Sequence, residues 1–383
     1  MTDSSPALLF TPLTIRGISL ANRCVFSPMN IYSSRHGCPG DIHLVHLGKM
    51  AAGGFALVFT ESAAVEARGL ITEHDMGIWD DGQVPAHRRI VEVVKGHGSR
   101  IGIQLAHGGR KSSTQRVMDG GGPLNAHELA RGAKLWQPVG PTAEPVAPGW
   151  LVPQRLSVAE IQDVVRAFAD AAARANHAGY DVVEVHGAHG YLIASFLSAV
   201  SNTRDDAYGG DRAGRMRLPL EVARAVRAVW PEGKPLFFRV SAVDGAGGWD
   251  IEDTVVLALA LHEIGVDVVD CSSGGLTGTT TTAPVPRYPG FQVPFASAVK
   301  HRAGVTAMAV GLILDGPQAE NILRDGSADL IAIGREALFN PNWPLHAAQA
   351  LGCDPSFRLW PERYGWWLDK RATQMALTKQ SRN

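Results

Sequence analysis

Short, nearly continuous hydrophobic runs recur along the whole chain. They are rich in Val, Ile and Phe and do not alternate with polar residues, which is typical of parallel strands buried on both faces. The eight runs are CVFS from residue 24, FALVFTE from 55, IGIQL from 101, DVVEVH from 181, LFFRVS from 236, DVVDCS from 267, AMAV from 307 and DLIAI from 329. Each run is therefore predicted to be one strand of a parallel sheet.

Segments with helical periodicity lie between most of these runs. In the clearest, residues 157–178, Ser157 can cap the helix, Glu160 can complete a capping box and Gly179 follows as a stop. Similar segments follow Asp253, Asp315 and Pro341. Eight strands that alternate with helices, without a linker, predict an α/β fold: a single (β/α)8 TIM barrel over residues 1–383.

Two insertions and a C-terminal arm interrupt this alternation. Residues 112–156 are rich in Gly and Pro, and residues 275–293 contain TGTTTT, which predicts a mobile loop, and RYPGF. Each insertion follows a strand, so both are expected at the mouth of the barrel, where substrates bind. The arm occupies residues 355–383.

Composition excludes several classes of protein. The 383 residues are 45% hydrophobic and 19% charged with a net charge of -1, so no basic field exists to bind nucleic acid or a membrane surface. No apolar run approaches the roughly 20 residues of a membrane span, and the N-terminus has no targeting pattern, which favours a cytoplasmic protein. The four cysteines lack paired spacing, which argues against a zinc site and a disulfide framework.

A barrel carries its chemistry at the C-terminal ends of its strands. The residues found there are Ser27, Pro28, Met29, Glu61, Ser62, Gln104, His107, His186, His189, Arg239, Ser272, Ser273, Gly274, Gly311, Gly334 and Arg335. Any single one could be a capped turn or a satisfied polar group. Their convergence on one mouth predicts a functional site.

The last two strands are followed by glycines that indicate a phosphate site. AVGLILDG and AIGREAL each turn from strand to helix through Gly311 or Gly334, so backbone N–H groups and a helix N-terminus are expected to face a common point. Arg335 supplies a bidentate partner for phosphate. Glycine at such a turn also occurs for backbone geometry alone.

The stretch VEVHGAHGYL places two histidines three positions apart, with Tyr191 just beyond them. Zinc would need a third ligand, which this loop does not offer, so the pattern disfavours a metal. Two imidazole N–H groups, from His186 and His189, would instead bind and polarise a carbonyl or nitro oxygen. Tyr191 is then a candidate proton donor. The alternative is that His186 is a buried structural histidine.

Several motifs together resemble the old yellow enzyme family of FMN-dependent ene-reductases, in particular its branch of thermophile and bacterial xenobiotic-reductase members. In chain order they are LFTPLTIRGISLANRCVFSPM, IGIQLAHGGRK, VEVHGAHGYL, SNTRDDAYGG, FFRVSA, DCSSGGL, AVGLI and ADLIAIGREAL. Each is weak alone, but their fixed order over nearly the whole chain is specific. The resemblance implies FMN over the barrel mouth, NADPH or NADH as reductant, and a small electron-poor alkene as substrate.

The resemblance also implies roles for individual residues. The FMN-binding residues are expected to be Ser27, Pro28, Met29, Asn30, Ser62, Gln104, Arg239, Gly311, Gly334 and Arg335. The catalytic residues are expected to be Tyr191, His186, His189 and Asn30. The substrate-binding residues are expected to be Tyr32, Lys111, His186, His189, Arg363 and Trp366.

Three features depart from the family pattern. Asn30 stands where the branch usually has a cysteine, and Gly214 stands where the family normally has asparagine. The segment WPERYGWW resembles the arm that reaches into the neighbouring subunit's site, but it carries an extra Tyr364. Arg363 is the expected finger, which implies a homodimer or homotetramer; alternatively, the arm's tryptophans cover their own barrel.

Two other functions stay open on these residues. One is a flavin-free barrel lyase or isomerase that acts on a phosphorylated metabolite. The other is a flavin-binding protein without turnover.

Overall fold

A computed structural model describes residues 7–278 and 285–380. Its inner layer is a ring of eight parallel strands, one at each predicted run. They are β1 (Cys24–Phe26), β2 (Leu57–Ala64), β3 (Arg100–Ala106), β4 (Val182–Gly187), β5 (Leu236–Ser241), β6 (Val268–Ser272), β7 (Thr306–Ala309) and β8 (Leu330–Ile333). Strand β1 pairs with both β2 and β8, which closes the sheet into a barrel. The predicted (β/α)8 fold is confirmed.

Helices surround the barrel, and the last of them extends from it as an exposed arm. They are α1 (Asp41–Ala52), α2 (Val84–Gly96), α3 (Val158–Ala178), α4 (Arg212–Val229), α5 (Ile251–Ile264), α6 (Val293–Ala298), α7 (Gly316–Arg324), α8 (Trp343–Ala350) and α9 (Glu362–Gln380). Helix α3 has the predicted ends: Glu160 N donates to Ser157 Oγ, and Gly179 stops the helix with φ of 97°. Helix α5 starts earlier than predicted, because Asp250 caps it and Asp253 already lies in its first turn.

The barrel interior changes from apolar to polar toward its mouth. Side chains alternate along each strand, so Val182, Glu184 and His186 of β4 share one face. At the lower end, Val182 and Phe237 belong to a buried cluster that an antiparallel hairpin, Leu13–Ile15 with Ile18–Leu20, packs against from below. Because apolar side chains fill the lower end, the polar side chains of the interior, such as Glu184 and His186, lie at its upper end.

The insertions follow β3 and β6, as predicted. The first contains the short helix Ala126–Ala130 and the paired strands Val139–Gly140 and Gln154–Arg155. The TGTTTT tract occupies residues 277–282, and its last four residues lie outside the described residues, as does the mobility expected of this loop. No helix in the described ranges is long and apolar enough to cross a membrane.

Candidate active site

A cavity of about 350 Å³ opens at the C-terminal ends of the barrel strands, a size ordinary for a small-molecule site. Most of the residues predicted from the sequence line it. They are Ser27, Pro28, Met29, Asn30, Tyr32, Ser62, Gln104, His186, His189, Tyr191, Arg239, Gly311, Gly334 and Arg335. Residues from distant parts of the chain thus meet at one mouth, as the barrel topology requires.

A buried polar cluster lies at the base of the cavity. Gln104 Nε2 donates to Glu184 Oε1 at 2.8 Å, which leaves the carboxamide oxygen of Gln104 free to face the cavity. Arg239 Nε lies 3.1 Å from Asp270 Oδ2, so the guanidinium has a fully buried counter-ion. Burial, together with the nearby Asp270 carboxylate, raises the pKa of Glu184. Burial raises the pKa of Asp270 as well, so the single Arg239 cation lies beside two carboxyl groups that both resist ionisation.

The opposite end of the cavity is built from glycines and an arginine. Gly311 has φ of 115°, and a Cβ there would lie 2.5 Å from the end of the Gln292 carboxamide and 3.0 Å from the ring of Phe291, so glycine is required. Gly334 caps the helix Arg335–Phe339 as predicted, whereas no helix follows Gly311 directly, because α7 begins only at Gly316. Arg335 is exposed and has no acidic partner among the described residues. A free cation beside close-approach glycines suits a phosphate group.

The histidines and Tyr191 form one wall of the cavity. The ring centroid of His186 lies 5.1 Å from that of His189 and 5.2 Å from that of Tyr191. Burial and the nearby Arg239 charge hold the pKa of both histidines well below the usual range, so each ring is neutral at pH 7 and carries one N–H. Burial raises the pKa of Tyr191, so its hydroxyl keeps its proton. The wall can therefore donate hydrogen bonds and a proton.

Asn30 is held by a neighbouring strand. Ser62 at the upper part of β2 donates its hydroxyl to Asn30 Oδ1 at 3.0 Å. Because that bond occupies the carbonyl oxygen, the NH2 group is the end that is left for the cavity. The assignment of the two ends follows from the hydrogen-bond partner.

Comparison with known proteins agrees with this geometry. Residues 8–353 match the family described as NADH:flavin oxidoreductase / NADH oxidase. An NADPH dehydrogenase of Geobacillus sp. (strain WCH70) is 42% identical over 362 residues, which cover 94% of this chain and 98% of the relative. The chain belongs to the old yellow enzyme family.

Other old yellow enzyme relatives are similar over the same length. An NADPH dehydrogenase of Geobacillus thermodenitrificans (strain NG80-2) is 43% identical over 348 residues, 90% of this chain and 95% of the relative. The solved structure of morphinone reductase superposes with a TM-score of 0.74 at 28% identity and covers 91% of each chain. This old yellow enzyme is therefore an FMN-dependent oxidoreductase, and the flavin-free lyase or isomerase and the flavin-binding protein without turnover are set aside.

The cavity residues fit FMN. A flat ring with a polar, uracil-like edge needs an acceptor and a cation at that edge, which Gln104 and Arg239 supply. The phosphate needs a cation and space for close backbone approach, which Arg335, Gly311 and Gly334 supply. The donor set thus matches both ends of the cofactor.

Three residues predicted to bind substrate do not line this old yellow enzyme's cavity. Lys111 is buried behind the wall, where its Nζ donates to His189 O at 2.9 Å and to Gly275 O. Arg363 and Trp366 lie on the exposed face of α9, and Trp366 is 56% exposed. Trp367 is 68% exposed as well, whereas Trp360, earlier in the arm, is half-buried and packs its ring 5.4 Å from that of His346 in α8.

The glycine at position 214 has a steric reason. Gly214 lies in the first turn of α4, where its N–H donates to Asp211 Oδ1 at 2.8 Å. A Cβ at this position would collide with the carbonyl oxygen of Gly209. Glycine replaces the expected asparagine at position 214 because the Gly209–Gly214 loop leaves no room for a side chain. The replacement does not change the chemistry of the cavity.

Two supporting groups were not identified as such from the sequence. Glu61 accepts from Ile31 N at 2.8 Å and contacts His43 Nε2 at 2.8 Å, so it anchors the loop that carries Asn30 and Tyr32. Gln292 lines the cavity beside Ser272. The position of Glu61 near the end of a strand could have indicated its role from the sequence. Gln292 lies in an insertion, where no sequence pattern indicated a role.

Proposed function

We propose that this enzyme uses NADPH to reduce the activated C=C bond of α,β-unsaturated carbonyl or nitro compounds. The observation that carries the proposal is the wall of two neutral imidazoles and one protonated phenol in a cavity that fits FMN. The relatives named NADPH dehydrogenase support NADPH over NADH.

In this proposal each residue has a chemical role. FMN, when bound, accepts a hydride from NADPH and supplies it to the electron-poor β-carbon of the alkene. Ser27, Pro28, Met29, Asn30 and Ser62 would lie against the ring of FMN. Gln104 and Arg239 would bind its polar edge, and Gly311, Gly334 and Arg335 its phosphate.

The histidines would act on the substrate oxygen. His186 and His189 would each donate an N–H to the carbonyl or nitro oxygen and orient the alkene. These bonds strengthen as negative charge develops on that oxygen, which lowers the barrier of the reaction. Tyr191 would then give its hydroxyl proton to the α-carbon, with Tyr32 on the same side of the cavity.

The C-terminal arm would complete a neighbouring site. Helix α9 exposes Trp366, Trp367 and Tyr364, and such an apolar surface is costly to leave in water. We propose a homodimer or homotetramer in which the arm packs on a partner and brings Arg363 and Trp366 toward the partner's substrate. Lys111 would support the site from behind the wall.

The histidine roles are tested by separating the two half-reactions in stopped-flow experiments. His186→Ala and His189→Ala should slow alkene reduction by about a hundred- to a thousandfold, because loss of one oxyanion donor costs about that much. Reduction of the enzyme by NADPH should change far less, since that step does not use the substrate oxygen. His262→Ala, on the exposed face of α5, is the matched control. Equal slowing of both half-reactions would contradict the proposal.

Tyr191→Phe tests the proton donor. The variant should reduce enones more slowly, and nitroalkenes should be least affected, because the nitronate product is stable without immediate protonation. Rates for a set of enones and nitroalkenes measure this. A uniform loss across all substrates would remove Tyr191 from the donor role.

A further inference from the structure

The two histidines of the wall are held in different ways. His189 Nε2 lies 2.7 Å from the hydroxyl of Ser272, the last residue of β6. The backbone of His189 is fixed as well, since its N–H donates to Ser241 Oγ at 2.9 Å and its carbonyl accepts from Lys111. His186 makes no side-chain hydrogen bond within the described residues, and its Nδ1 is buried without a partner.

Gln292 orients the serine beside His189. Its carboxamide is assigned with Nε2 donating to Val310 O at 3.3 Å, because the opposite orientation would set two carbonyl oxygens against each other. Its Oε1 then accepts from Ser273 N at 2.6 Å and lies 3.0 Å from Ser273 Oγ and 3.1 Å from Ser272 Oγ. The two closer donors of Ser273 fill the lone pairs of the oxygen, and Ser272 Oγ lies closer to His189 Nε2, at 2.7 Å, so the Ser272 hydroxyl proton is directed to His189.

The direction of the Ser272–His189 bond decides what His189 offers the cavity. A neutral imidazole carries its proton on one nitrogen only. If the serine donates to Nε2, the proton of His189 sits on Nδ1, which has no partner among the described residues and is not sealed off from solvent. If His189 donates instead, Nδ1 presents a lone pair that would repel a substrate oxygen.

His186 needs no such partner to select its proton. Arg239 stands opposite His186 in the register of β5 and β4, and a cation beside the ring favours a lone pair on the buried Nδ1, which has no acceptor for an N–H. The proton of His186 is therefore expected on Nε2, the nitrogen that remains accessible. The two rings must use different nitrogens to aim both protons at one oxygen.

We propose that Ser272, oriented by Gln292, is a positioning residue that donates to His189 Nε2 and so holds His189 as its Nδ1–H tautomer. The inference rests on the proposed function, because it assigns the source of one of the two donors to the substrate oxygen. The motif with the two histidines does not by itself fix the tautomer of His189; the inference adds that Ser272 must donate to His189 Nε2.

The experiment records histidine side-chain 15N–1H correlation spectra of the FMN-loaded enzyme labelled with 15N-histidine. Loss of signals in His189→Gln assigns the ring. Wild type should show a protonated Nδ1 and an unprotonated Nε2, and Ser272→Ala should shift His189 toward the opposite tautomer. Ser272→Thr, which keeps the hydroxyl, should preserve the wild-type pattern. Ser99→Ala is the matched control, because Ser99 is a buried serine whose hydroxyl donates to Phe55 O at 2.6 Å and does not line the cavity.

Binding of 4-hydroxybenzaldehyde, followed by the flavin absorbance, is the second readout. Ser272→Ala should bind it about three- to tenfold more weakly, the loss of one net hydrogen bond, and Ser99→Ala should not. A protonated Nε2 in wild type, or His189 signals unchanged in Ser272→Ala, overturns the inference. A tautomer change without any change in affinity upholds the role of Ser272 and overturns the histidine role in the proposed function.

Discussion

At the scale of single residues, Asn30 offers the cavity a hydrogen-bond donor. Ser62 occupies its carbonyl oxygen at 3.0 Å, so the NH2 group is left for the cavity, where it would face the ring of FMN in the proposed function. The O4 carbonyl oxygen of FMN becomes more negative when the cofactor is reduced. A donor at that oxygen therefore stabilises the reduced cofactor over the oxidised one.

Asn30→Ala should accordingly lower the midpoint potential of bound FMN by about 10–30 mV. This follows from a net hydrogen bond of about 0.5–1.5 kcal/mol and about 30 mV for each 1.4 kcal/mol. Potentiometric titration of wild type and variant measures it. Ser62→Ala, which keeps the amide but releases its anchor, should have a smaller effect, and an unchanged or raised potential in Asn30→Ala would argue against this tuning.

The residues of the cavity could be located from the sequence because parallel strands deliver all their C-terminal ends to one mouth. The positions of Gln104, Arg239 and His186 near the ends of their strands were enough to predict that they line the cavity. Lys111 shows the limit: it lies behind the wall and not on it, because the loop after β3 turns its ammonium toward Gly275 O. The path of a loop is set by contacts between distant segments, which no local pattern records.

At the scale of elements, a buried histidine joins helix α2 to the barrel. His87 Nε2 donates to Gly77 O at 2.9 Å, and its Nδ1 accepts from the hydroxyl of Tyr180 at 2.8 Å. Both nitrogens are satisfied while the ring is neutral. Burial lowers the pKa of His87 to about 4.

This arrangement predicts a loss of stability in acid. Between pH 6.5 and pH 4.5 the unfolded chain binds a proton at His87 and the folded chain does not, so the free energy of unfolding falls as the pH falls. The contribution of His87 over this range is about 2–3 kcal/mol. Urea unfolding at both pH values should show a shallower decline in His87→Gln than in wild type. Identical declines would refute it; His262→Gln, an exposed change, serves as control.

The ends of helices were predicted correctly only where the prediction used the capping residues. Ser157 and Gly179 marked α3 correctly because both act within one turn of the helix. The helix predicted after Asp315 is confirmed: α7 begins directly after this residue, and the Asp315 carboxylate accepts from Gln318 N at 2.8 Å. The expectation that the turn at Gly311 leads directly into a helix was wrong. Gly311 lines the cavity, and α7 begins further along the chain, where the Asp315 carboxylate accepts a hydrogen bond from an N–H of its first turn.

At the scale of the whole molecule, the arm leaves the barrel as an exposed helix. The rings of Trp366 and Trp367 lie 4.6 Å apart, edge to face, and both are more than half exposed. Indole rings bury large areas in stable contacts. The proposed partner subunit would supply that contact.

Truncation after Asp354 should therefore reduce the assembly to a smaller oligomer and weaken binding of phenol-type ligands. Light scattering after size-exclusion chromatography measures the assembly, and ligand titration measures the affinity. Ile42→Ala, an exposed apolar change on α1, should alter neither. If the truncated enzyme kept both its oligomeric state and its affinity, the shared site would be refuted.

The collision that forbids a side chain at Gly214 has a consequence for engineering. In a library that recombines this enzyme with relatives, the asparagine that the family pattern implies at position 214 would place its Cβ against the carbonyl oxygen of Gly209, and such variants should fail to fold for steric reasons. Residues 209–214 should therefore be inherited as one block, with crossover points placed on either side of them.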